Sequence, residues 1–183
     1  MTWNAFHNRG EILRQVIAVA DERRDGRLPV EVDGVRTNFT GELDLLSALM
    51  LKWHARLSGN VERELMLEPM DLQHAVARAW RLTSDEMPGV RAIIDRYNAQ
   101  PTDKDMADAL ARAQEREWLR LAGAAGVASD ESNAAARAGA RIEQDARALA
   151  TGSVDPVDPA DMLPEQPSNS ATLVERIKAV LAA

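Results

Sequence analysis

A long apolar stripe at helical spacing, between residues 43 and 57, constrains the fold of this chain most. Large side chains recur there every three or four positions, which places them on one face of an α-helix. The stripe comprises Leu43, Leu46, Leu49, Met50, Trp53 and Leu57, and Leu45 and Leu51 widen it. A helix with so broad an apolar face is stable only when other elements cover it. We therefore expect a helical bundle with this helix near its centre.

Weaker stripes of the same kind run through the rest of residues 1–152, and turn residues separate them. Together they predict a mainly α fold with about six helices. Ser58-Gly59-Asn60 is predicted to interrupt the second helix. The segment 83–86 reads as a capping box for the fourth helix, with Pro88 in its first turn.

One segment, residues 28–39, has the pattern of a β-hairpin instead. Asp33-Gly34 suits the two central positions of a type I′ turn, which needs positive φ twice. The resulting register places Glu31 opposite Arg36 on one face and gathers the apolar side chains on the other. We therefore predict a β-hairpin inserted between helices 1 and 2. A lone two-stranded ribbon is marginal in water, so its apolar face should pack on helices or on another subunit.

The composition changes after residue 152. Residues 153–170 are rich in Pro, Asp, Glu and Ser, which predicts an acidic, extended linker. Residues 171–183 carry an apolar side and predict a short amphipathic C-terminal helix. The predicted organisation is thus a helical domain over 1–152, a linker and a tail helix. A helix this short is marginal alone, so it should form by docking, in cis or in trans.

Composition excludes several classes of function. The chain has no cysteine, which rules out disulfides and thiolate chemistry, and its net charge of −7 argues against nucleic-acid binding. It carries neither a phosphate-binding glycine motif nor a nucleophile elbow. No signal sequence or membrane-spanning run is present, so we expect a cytoplasmic protein. The preference for Arg over Lys suggests a GC-rich, bacterial genome.

Three residues are candidates for a binding site. His54 borders the central stripe beside Trp53, and Glu117 falls on an otherwise apolar helical face. A buried carboxylate must find a partner or take up a proton, which makes Glu117 a functional candidate. The alternative for Glu117 is a place at the edge of the stripe, paired with Arg112 or Arg120. His7 and His74 lie opposite their apolar faces, and the spacing of the acids and histidines predicts no metal site and no cofactor.

Two hypotheses about function follow. The leading one is a non-enzymatic protein–protein interaction or regulatory protein, self-associating as a homodimer or binding another protein. The alternative is a small-ligand- or metal-binding bundle, conceivably an enzyme, that uses Trp53, His54 and Glu117. For the leading hypothesis the predicted interface residues lie in the hairpin and the tail helix: Leu28, Val30, Val32, Val35, Phe39, Leu173, Ile177, Val180 and Leu181.

Overall fold

The central stripe forms one unbroken helix of 26 residues, Glu42–Leu67, in a computed structural model of the chain. The structure describes residues 3–128 and 132–149, with side-chain surroundings from residue 8 onward. The mainly helical prediction is confirmed within these ranges, which contain seven helices. They are α1 (Trp3–Arg23), α2 (Val35–Asn38), α3 (Glu42–Leu67), α4 (Leu72–Glu86), α5 (Pro88–Ala99), α6 (Lys104–Ala124) and α7 (Asn133–Ala148).

Helix pairs build the domain around α3. Helix α3 packs along α4, α6 packs along α7, and α4 and α7 contact each other, while α1 packs on α5. The largest fully buried side chains come from α3, α4 and α5: Trp53, Trp80, Leu45, Leu46, Leu49 and Ile93. Other helices therefore cover most of the stripe, although Leu43 and Met50 are only partly buried and Leu51 is exposed.

The predicted β-hairpin is wrong: the described residues contain no β-strand. Gly34 does have a positive φ of 84°, but Asp33 does not, so the type I′ turn cannot form. The amide of Val35 instead donates to the carbonyl of Val32, which closes a turn, and the chain continues into the single helical turn of α2. Val35 and Phe39, four residues apart, are both buried. Residues four apart share a face in a helix and in a strand alike, so this apolar pair by itself fits either structure.

The predicted hairpin residues that sequence analysis assigned to an interface are buried or partly buried within the domain. Leu28, Val35 and Phe39 are buried in the domain's own core, and Val30 and Val32 are partly buried against it. These side chains pack within the chain and present no free apolar face. The other predicted interface residues, Leu173, Ile177, Val180 and Leu181, lie outside the described residues. So do the predicted linker and the tail helix.

Two predicted helix boundaries also differ from the structure. Helix α3 runs straight through Ser58-Gly59-Asn60 because Asn60 is buried and its amide donates to Thr83 Oγ1 at 2.9 Å. Thr83 lies inside α4 and bonds the carbonyl of Ala79, so the capping box predicted at 83–86 is wrong. Pro88 does occupy the first turn of α5, as predicted. No described helix combines the length and apolarity needed to cross a bilayer.

Two glycines permit close contact between helix backbones. A Cβ atom on Gly89 would lie 2.0 Å from the backbone of Ala20, where α5 meets α1. A Cβ atom on Gly139 would lie 1.9 Å from the carbonyl oxygen of Trp118, where α7 meets α6. Side chains at either position would therefore push two helices apart.

We predict that Gly89→Ala lowers the free energy of unfolding by at least about 2 kcal/mol, because the added methyl group overlaps the α1 backbone. Gly59→Ala is the matched control, since nothing lies within 4 Å of its Cβ position. The control should be stabilising by about 0.5–1 kcal/mol, as expected for alanine in a helix interior. Urea denaturation measures both changes, and equal effects of the two substitutions would contradict the α1–α5 contact.

Candidate functional site

A buried carboxylate, Glu117 of α6, lies at the meeting point of four helices. Its Oε2 accepts hydrogen bonds from Trp53 Nε1 and His54 Nε2, each at 2.9 Å. Its Oε1 accepts one from Trp80 Nε1 at 3.1 Å, and Arg91 Nη1 lies 3.7 Å from the same oxygen. Helices α3, α4 and α5 thus each supply a donor or a charge to one side chain of α6. A carboxylate so fully paired can stay ionised in the interior.

The aromatic and cationic partners of Glu117 also contact one another. The Trp53 and Trp80 rings meet edge to face with their centroids 5.7 Å apart. The Arg91 guanidinium lies 5.0 Å from the centre of the Trp53 ring and 5.4 Å from that of Trp80. Edge-to-face and cation–π geometry is favourable because the ring face is electron-rich. The indoles therefore hold both the carboxylate and the guanidinium in place.

A second set of charges extends this cluster toward α7. Arg91 pairs with Asp95 at 2.5 Å, and Asp95 also accepts from Arg147 at 2.7 Å. Arg147 pairs in turn with Glu143 at 2.7 Å, and Glu143 accepts from Trp118 Nε1 at 2.6 Å. Each buried or half-buried charge in this chain of contacts thus has an opposite charge beside it.

The surroundings lower the pKa of both central carboxyls. Burial alone raises the pKa of Glu117, but the hydrogen bond from His54 and the charge of Arg91 outweigh it and hold the pKa below its ordinary value of 4.5. Burial also raises the pKa of Asp95, and the hydrogen bond from Arg147 and the charge of Arg91 again prevail. Both groups are therefore carboxylates at neutral pH.

All three sequence-predicted binding residues, Trp53, His54 and Glu117, lie together in this cluster. Sequence analysis expected Arg112 or Arg120 as the partner of Glu117, but the ionic partner is Arg91 of α5. Arg91 is buried between Val90 and the apolar pair Ile93-Ile94, and a charge within such a run was the signal that could have identified it. Trp80 offered no comparable signal. A tryptophan in an apolar helical stripe is an ordinary core residue, and nothing in the sequence shows that its N–H binds a carboxylate.

Most polar atoms of the cluster already have hydrogen-bond partners. Both oxygens of Glu117 accept hydrogen bonds, and Trp53 is fully buried with its N–H engaged. His74 is exposed and pairs with Glu68, as its polar helix face predicted, and the side chain of His7 lies outside the described set. Among the described residues no three metal-ligating side chains converge. Of the predicted trio, His54 lines two surface cavities and Glu117 lines one of them.

A groove runs above this cluster between α3 and α6, and we name it the α3/α6 groove. Its first cavity, of about 360 Å³, is lined from α3 by Leu43, Ser47, Met50, Leu51 and His54, and from α6 by Ala109, Leu110, Arg112, Ala113, Arg116 and Arg120. Its second cavity, of about 220 Å³, is lined by His54, Leu57, Ser58, Val61 and Glu62 of α3 and by Glu117, Arg120, Leu121 and Ala124 of α6. His54 and Arg120 border both cavities. The cavities therefore follow one another along two helices that run in the same direction.

We predict that Glu117→Gln lowers the free energy of unfolding by about 3–5 kcal/mol, because it leaves the buried Arg91 without part of its counter-charge. The new amide nitrogen would also face N–H donors, and it cannot accept a hydrogen bond from them. Glu115→Gln, an exposed neighbour on α6, is the control and should change stability by less than about 0.5 kcal/mol. Chemical denaturation tests the pair. A loss no larger than that of the control would show that the cluster does not hold the helices together.

Acid should destabilise the domain through the same carboxylates. When the folded-state pKa is depressed, the unfolded chain binds more protons, so stability rises with pH in that range. The contribution of Glu117 and Asp95 is complete above their ordinary pKa values of 4.5 and 3.8 and is lost as pH falls through the lower folded-state values. We expect the free energy of unfolding to fall steeply below about pH 4.5, and less steeply in Glu117→Gln. Identical slopes in both proteins would contradict a depressed pKa of Glu117.

Comparison of the chain with family models, with curated proteins and with solved structures finds no match. Similarity therefore supplies no function. The function has to be argued from the Glu117 cluster and from the groove above it.

Proposed function

We propose that this protein is a non-catalytic interaction protein that binds an amphipathic helix of a partner protein in the α3/α6 groove. The observation that carries the proposal is the exposure of Leu51. This leucine lies on the α3 wall of the groove, and 70% of its surface is open to solvent. A partner that covered this side chain would remove its apolar surface from water, which is favourable.

The shape of the groove suits a helix better than a compact small molecule. Its α6 wall extends from Ala109 to Ala124, which is about 22 Å at 1.5 Å per residue. A partner helix of about 15 residues has that length. Helix-in-groove recognition uses apolar anchors at helical spacing, and the two successive cavities offer places for such anchors.

The floor of the groove favours binding over catalysis. Hydrogen bonds from Trp53 and His54 to Glu117 Oε2 tie α3 to α6 at this floor, and Trp80 of α4 donates to Oε1. A rigid floor reduces the entropy lost on binding. The same engagement takes Glu117 away from proton-transfer chemistry, which weakens the alternative of an enzyme that uses this trio.

The homodimer hypothesis drew on the predicted hairpin, the Ala-rich helix and the tail helix. The hairpin no longer supports it because its apolar side chains are buried or partly buried in their own domain, and the tail helix lies outside the described residues. Self-association is therefore kept as an outcome of the test below, and a separate partner protein is the proposed occupant.

The test is selection of random peptides of about 16 residues, displayed on phage, against the full-length chain. We expect the selected peptides to be amphipathic and helical, and Leu51→Glu to weaken them at least about tenfold in fluorescence anisotropy. Leu67→Glu is the matched control, because Leu67 lies on the same helix with the same 70% exposure but does not line the groove. The control should bind like the unmodified chain.

Three results would overturn the proposal. One is the absence of any enriched peptide, and another is equal binding to Leu51→Glu and to Leu67→Glu. The third is a dimer in sedimentation velocity that Leu51→Glu converts to a monomer, which would assign the groove to a second copy of the chain.

A further inference from the structure

The α6 wall of the groove carries a ladder of three arginines. Arg112, Arg116 and Arg120 follow one another at four-residue spacing, so they project from one face of α6 over about 12 Å. All three are exposed, and none forms an ion pair within the part of the chain that the structure describes. Arg56 and Arg9 do have acidic partners, Glu86 and Asp44, whereas Arg137 and Arg141 of α7 resemble the ladder in having none among the described residues. What sets the ladder apart is its place along a groove.

Along the first cavity, α3 places no counter-charge opposite this ladder. The α3 side of the first cavity consists of apolar residues, Ser47 and His54. Glu117 is the nearest carboxylate of the floor, and its oxygens are already paired. Glu62 lines the second cavity on the α3 side, at the far end of the groove. A positive strip therefore lies along the first cavity of a chain whose net charge is −7.

We propose that the partner helix is acidic on the side that faces α6, with carboxylates at four-residue spacing that match Arg112, Arg116 and Arg120. This inference rests on the proposed function and specifies the partner's chemistry. The apolar side of the partner helix faces Met50 and Leu51 of α3. Its residue nearest Glu62 is neutral or basic, because a carboxylate there would meet a like charge.

The physical effect of the ladder is on specificity and association rate. An isolated exposed ion pair contributes little, but three like charges in a row raise the local potential and steer an oppositely charged partner. Apolar walls beside the arginines exclude water from the pairs and strengthen them. Charge complementarity of this kind also rejects basic helices of the same apolar pattern.

The experiment uses the full chain and the peptides selected above. We expect those peptides to be enriched in Asp and Glu at four-residue spacing and to bind more weakly as salt is raised from about 0.05 to 0.5 M. The double variant Arg112→Glu/Arg116→Glu should lose about tenfold or more in affinity. Arg137→Glu/Arg141→Glu, an exposed pair at the same spacing on α7, is the control and should bind normally.

A charge swap completes the test. Peptides whose acidic residues are replaced by lysine should bind the Arg112→Glu/Arg116→Glu variant and not the unmodified chain. Circular dichroism and urea denaturation check that the variants fold.

The two proposals fail in different ways. If the peptides bind in a Leu51-dependent way but show no acidic preference, or ignore the arginine substitutions, the acidic partner is wrong and the groove remains a binding site. If no peptide is selected, or binding does not depend on Leu51, both proposals are overturned.

Discussion

The burial of one carboxylate, Glu117, is the constraint on which the rest of the structure depends. An ionised group in the interior is tolerated only where donors and an opposite charge surround it. Here the donors come from Trp53 and His54 of α3 and Trp80 of α4, and the charge comes from Arg91 of α5. Because one side chain of α6 needs all of these groups at once, the relative positions of four helices are coupled. The Asp95–Arg147–Glu143 contacts extend the same requirement to α7.

This constraint also shapes the surface that we propose as the binding site. Glu117 ties α6 to α3 through two hydrogen bonds at depth, and the side chains above them leave an open groove. The groove joins an apolar α3 wall to an arginine-bearing α6 wall. Binding at such a site needs little rearrangement of the domain, because the polar atoms beneath it are already satisfied. Under this proposal the trio of Trp53, His54 and Glu117 supports the groove from beneath.

Sequence analysis predicted a helix correctly where many apolar residues repeat at the same helical spacing. The stripe from Leu43 to Leu57 predicted α3, and the position of Glu117 on an apolar face identified it as a residue that needs a partner. Sequence analysis failed in short segments, where the two-residue repeat of a β-strand cannot be distinguished from the 3.6-residue repeat of an α-helix. Asp33-Gly34 resembled a hairpin turn, and Val35 and Phe39 share a face in a strand as well as in a helix; the chain nevertheless forms the single helical turn of α2, with both side chains buried in the core. Likewise, a short polar run at 58–60 did not end α3, because Asn60 finds Thr83 across the α3–α4 contact.

The sequence by itself determined the mainly helical character of residues 3–128 and 132–149, the placement of most apolar faces and the unusual positions of Glu117 and His54. These follow from local periodicity, which each segment carries without its neighbours. Only the tertiary structure decided that Arg91, and not Arg112 or Arg120, pairs with Glu117, and that the arginines of α6 line a groove whose first cavity has no acid on its α3 side. Pairing between residues distant in the chain depends on which helices pack together, and periodicity within one helix contains no information about that choice.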